Sequence, residues 1–142
     1  MAQKIKLGAR PQSFVRTITF PMVEGGEGCM ELTFKYRSRK ELAKLTDEVQ
    51  AAAQAQHDAD IAAIKAKAEK SEPIEPLKQV DLLDRDVSLQ VDYLMQVVEG
   101  WNLDEKFDRA AVEQLADEVP AAIGAAIETY RKAINEGRLG NS

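Results

Sequence analysis

The chain has 142 residues and 15.7 kDa, is 44% apolar but only 6% aromatic, and carries a formal charge of −5 with a pI near 5.0. That length suits one domain with a modest core, and the acidic balance argues against nucleic acid, whose phosphates need a positive surface. The single cysteine leaves no internal disulfide or thiolate cluster, and no uninterrupted apolar run approaches the ~20 residues of a membrane span.

The N-terminal MAQKIKLGARPQSF is basic, but no apolar segment or small-residue cleavage site follows it. The chain is therefore expected to stay in a reducing cytoplasm. The first third then shows a period of two. FVRTITF puts Phe14, Ile18 and Phe20 on one face, with Arg16 the exception; MELTFKY puts Met30, Leu32, Phe34 and Tyr36 on one face and Glu31, Thr33 and Lys35 on the other. Such alternation marks half-buried strands, and PMVEGGEG between them supplies a turn. Residues 1–37 read as a β-hairpin, which needs a helix under its apolar face because two strands alone are marginal in water.

The period changes at SRKEL. Ser38 and Glu41 match a capping box, and Leu42, Leu45 and Val49 follow at helical spacing. Nine of the eighteen residues from Ala51 to Ala68 are alanine, the strongest helix former. One long helix is expected over 38–70, its second half projecting or docking loosely, either as a solvated spacer or as a partner-binding arm. SEPIEP ends it, since two prolines three apart cannot continue a helix, and 71–85 reads as a linker.

A second helix is expected from about Asp86 to Glu99, with Val87, Val91, Leu94 and Val98 on one face and Gly100 just past its end. Asp108 suits the N-cap of a third helix, Arg109 to Asp117, with Phe107 stapled to Val112. Pro120 suits the first turn of a fourth, striped by Ile123, Ile127, Tyr130 and Ile134 and ended by Gly137, beyond which the tail reads as mobile. The fold class is α+β, mostly α: an N-terminal hairpin packed on about four helices in a single domain, 1–142. The only tryptophan falls in EGWNLDEKF, between helices. Trp101, Leu103 and Phe107 either plug the junction where those helices splay or form a partner-binding cluster; the plug is favoured.

No catalytic, cofactor or metal site emerges. His57 and Asp60 are spaced to touch one metal, but two ligands do not make a site, and His57 reads as solvated. Cys29 has no nearby histidine to activate it and reads as a small half-buried residue. GGEG lacks the GK[ST] ending and the following helix of a phosphate loop. DEKFD lacks the spacing and glycine of a calcium loop.

IKLGARPQSF, the hairpin end FKYRSRKEL, the VEGWNLDEKF junction and the close EVPAAIGAAIETYRKAINEGRLGN resemble the tail assembly chaperones of long-tailed bacteriophages and prophages. The resemblance covers both ends and most of the chain; the alanine-rich middle carries little of it. It implies a non-catalytic protein of the host bacterial cytoplasm, absent from the mature virion. Its implied partners are the tape measure protein, which it keeps soluble, and the major tail tube protein, which polymerises around that tape. Some such phages also make a longer, frameshifted form. The competing readings are a small interaction or adaptor domain with another client, and a structural tail protein retained in the virion. No membrane or nucleic-acid partner is expected.

Overall fold

A computed structural model describes residues 4–74, 76 and 78–137. In chain order the elements are β1 (Ser13–Pro21), β2 (Glu27–Lys35), α1 (Arg39–Glu69), α2 (Gln79–Val97), β3 (Val98–Trp101), α3 (Arg109–Glu118) and α4 (Pro120–Glu136). The fold is α+β and mostly α, and the hairpin packs on the helices, as the sequence suggests. The hairpin is nevertheless only part of a three-stranded antiparallel sheet ordered β1-β2-β3.

β1 and β2 pair from Ser13↔Lys35 to Pro21↔Glu27, around a turn in which Gly25 and Gly26 take φ of 102° and 75°, backbone open to glycine at little cost. Opposite Phe20 stands Gly28, where an added Cβ would lie 2.7 Å from the phenyl ring. The missing side chain lets that ring fold across the strand. Alternation sends Ile18, Phe20, Met30, Leu32 and Phe34 inward, while Tyr36 is half-buried. Arg16 keeps its inward place by lying over the Phe14 ring, 5.0 Å from its centroid, a contact that favours a cation on an aromatic face. Cys29 corrects the expectation: beside inward Met30 it points outward and is exposed rather than half-buried.

β3 is the main departure from the sequence reading. The second helix does not run to Glu99 with Gly100 as its terminal residue. It ends at Val97, and Val98 is already extended (φ −106°, ψ 135°). Val98–Trp101 then pairs with β2 through Leu32↔Trp101, Thr33↔Gly100 and Phe34↔Val98, with Glu99 bulged out between the last two pairs. The open edge of β2 outcompetes further helix because its unpaired backbone groups must find partners.

α1 opens on the expected capping box. Glu41 N–H donates to Ser38 Oγ at 3.2 Å and Ser38 N–H to Glu41 Oε1 at 2.9 Å; hydrogen bonding from the Ser38 backbone first, and then from its side chain, holds the Glu41 carboxyl below its usual pKa. Leu42 and Leu45 are buried and Val49 packs partly, but beyond Gln50 only Ala53 and Asp60 escape full exposure. α2 begins at Gln79, inside the expected 71–85 linker. Its first turns bury nothing, with Val80, Leu82 and Leu83 exposed, and the two prolines just before them make the segment read as linker. There Arg85 reaches across to pair with Asp60 of α1.

The core lies between the sheet and α2–α4, with Val91, Leu94, Val97, Val112, Ile123 and Tyr130 at its centre. Of the expected α4 stripe, Ile123 and Tyr130 are buried while Ile127 and Ile134 are half-buried. Phe14, Phe34 and Tyr130 form one aromatic cluster, with ring centroids 5.2–6.1 Å apart. The Tyr130 hydroxyl donates to the Lys35 carbonyl at 2.9 Å and accepts from Arg37 Nη1 at 3.2 Å; Arg37 Nη2 donates to the Gln96 carbonyl at 2.9 Å. One tyrosine thus ties the ends of β2 and α2 to α4. Pro120 opens α4 and Gly137 caps it at φ 66°; the expected mobile tail, 138–142, lies outside the described residues.

Candidate partner-binding surface

Pairing with Leu32 fixes Trp101 at the end of β3, not in a free loop. Asn102 prolongs the ladder by one step: Glu31 N–H donates to its Oδ1 at 2.8 Å, and its own N–H donates to the Glu31 carbonyl at 3.1 Å. The side-chain amide thereby stands in for backbone and releases the chain into a turn. Leu103–Phe107 then folds back across the indole. Trp101 Nε1–H donates to the Glu105 carbonyl at 2.7 Å, and Phe107 meets the indole edge-on, 5.1 Å between centroids at 85°. Next, Asp108 caps α3 by accepting from Ala111 N–H at 2.8 Å.

The structure brings Trp101, Leu103 and Phe107 together, all half-buried and packed on the core. Their roles differ. Phe107 lines a residual cavity of about 10 Å³ beneath the indole, with Leu94, Val112 and Ile123, no larger than one water needs. Trp101 lines that cavity too, and also an open groove of about 110 Å³, which it shares with Leu103, Ala111, Leu115 and Val119 together with Glu105 and Glu118. The indole thus borders both the buried junction and the open groove. Sequence reading missed the α3 half of this groove. Ala111, Leu115 and Val119 recur at helical spacing, but only the fold shows that this row faces Trp101.

α3 is held to α2 by Arg109, which reaches Asp92 at 2.6 Å, Glu113 at 3.0 Å and Ser88 at 3.3 Å. The Asp92 carboxylate raises the guanidinium's already high pKa. The remaining candidates stay apart. His57 is exposed on α1, and Asp60 beside it is engaged by Arg85 and Gln56. GGEG ends the hairpin turn with Gly25 and Gly26 and begins β2 with Glu27 and Gly28. Among the described residues, no group of three or more His, Cys, Asp or Glu side chains could hold a metal ion, and no helix is long and apolar enough to cross a membrane.

A family model described as phage tail assembly chaperone matches residues 1–141. No curated protein and no solved structure matches the chain.

Proposed function

The chain belongs to the phage tail assembly chaperone family, and from that premise we propose that it is a non-catalytic chaperone of the tape measure protein. It binds that long helical client in the host cytoplasm, keeps it soluble, promotes polymerisation of the major tail tube protein around it, and does not remain in the mature virion. The observation that carries this reading is the groove beside Trp101. Its apolar floor, Trp101, Leu103, Ala111, Leu115 and Val119, stays open beside Glu105 and Glu118. A helix with one apolar stripe can lay that stripe on such a floor, while the net charge of −5 keeps the coated assembly from self-associating.

Retention from phage-producing cells tests it. The tagged chain should retain the tape measure protein, and mass spectrometry of purified particles should find no copy of the chain. Retention of a different client would make it an adaptor; stoichiometric presence in particles would make it a structural tail protein.

A further inference from the structure

α3 has a second flank. Where the first half of α2 diverges from α3, a groove of about 800 Å³ opens, lined by Val80, Leu83, Val87, Ala110 and the carboxylates of Asp84, Glu113 and Asp117. Val80 and Leu83 are 58% and 52% exposed there, although each sits on a regular helix where a polar residue would serve as well. Among the described residues, the lining contains no basic side chain. Arg85, the only basic residue of α2, is turned away to Asp60 of α1, and Arg109 is committed to Asp92 and Glu113. Asp84 and Asp117 have no ion-pair partner among the described residues. The result is an apolar floor between two helices, walled by the unpaired carboxylates of Asp84 and Asp117 and by Glu113, which Arg109 neutralises.

We propose that this groove docks a cationic amphipathic helix, with its apolar face on Val80, Leu83 and Val87 and its lysine or arginine side chains on Asp84 and Asp117. A third helix fits a gap between two others by burying its apolar stripe. The walls then select the sign of its flanks, because like charges at the rim suppress wrong partners. Gln114 lines this groove and the one beside Trp101, so α3 is a ridge between two seats on one continuous surface. The inference deepens the chaperone reading and rests on it for the client's identity: the segments of the tape measure protein bound here are helical and basic.

The direct test is fluorescence anisotropy on the full chain. The probe is a labelled synthetic leucine–lysine amphipathic peptide of about 18 residues, five helical turns, alongside the same pattern with glutamate for lysine. The lysine peptide should bind, more weakly at high salt, and the glutamate peptide should not. Asp84→Lys/Asp117→Lys should weaken binding about tenfold, the scale of two exposed ion pairs. Val80→Ser/Leu83→Ser should weaken it comparably without changing the circular dichroism. Glu24→Lys/Glu27→Lys on the hairpin makes the same charge change elsewhere and should leave binding intact. Equal loss in that control, equal binding of the glutamate peptide, or self-association that the groove variants abolish would each overturn the proposal; the last would assign the groove to a second copy, whose Lys4–Arg10 arm is basic and exposes Ile5 and Leu7. Retention of the tape measure protein separates the two readings. Undiminished retention by the groove variants sinks the groove alone, whereas no retention by the wild type sinks the chaperone reading while the peptide still decides the groove.

Discussion

Two aromatic residues decide most at the scale of single side chains. Tyr130 is completely buried, and burial raises its hydroxyl pKa above the usual value, with Arg37 opposing. A raised folded-state pKa means that the native state holds its proton longer than the unfolded chain does. The contribution is therefore complete below the ordinary tyrosine range near pH ~10 and is lost as pH rises through the folded-state value. Tyr130→Phe should cost about 1 kcal/mol at neutral pH, through the lost bond to the Lys35 carbonyl, yet flatten the decline of stability in alkali. Urea unfolding from neutral pH upward checks both; a decline as steep as the wild type's would place the alkaline sensitivity elsewhere, as at the half-buried Tyr93, whose hydroxyl pKa burial also raises. Trp101 borders both the core and the open groove, so its truncation should register in two assays. Trp101→Ala should destabilise by about 3 kcal/mol, the low end for large aromatics because it is only half-buried. Leu103→Ser, on the half-buried floor of the groove, should cost about 1–2 kcal/mol, less than Trp101→Ala, while weakening client retention. Were both substitutions silent in retention, the groove beside Trp101 would not be a seat.

Among the elements, what the sequence revealed divides by range. The Ser38–Glu41 box and the Asp108 cap were legible because both partners lie within one turn. The hairpin was legible because two alternating runs flank a glycine-rich turn. β3 was not: VEGW is four residues long, has no alternation, and exists as a strand only because β2, far earlier in the chain, leaves an edge. The first turns of α2 were hidden for another reason: Val80 and Leu83 continue the stripe of Val87, Val91 and Leu94, but they closely follow two prolines, stand among Asp81, Asp84, Arg85 and Asp86, and bury nothing. The candidate site follows the same rule. Composition singled out Trp101, Leu103 and Phe107, whereas the α3 rows facing the two grooves needed the fold. The alanine-rich stretch of α1 is sustained by propensity, and that has a measurable consequence. Ala55→Gly should cost only about 1 kcal/mol, while Ile123→Ala, at 1% exposure, should cost about 2–5 kcal/mol. Equal losses in denaturant unfolding would mean that the arm is packed.

For the whole molecule, the sheet and helices are proposed to fold as one unit. The inner face of the hairpin finds its cover on α4 and the ends of α2 and α3, and its third strand comes from beyond α2. A Met1–Tyr36 fragment should accordingly show no cooperative thermal transition by circular dichroism, and a sharp one would make the hairpin a domain of its own. Membership of the tail assembly chaperone family is then connected to this architecture by one claim: the client lies along α3, in the grooves on its two flanks. Hydrogen exchange of the full chain, free and in complex with the tape measure protein, measures that most directly. Slowed exchange confined to 80–88 and 101–118, with 51–69 unchanged, is the predicted pattern. Protection of the hairpin's outer face or the alanine-rich arm, with α3 exchanging as in the free chain, would contradict it.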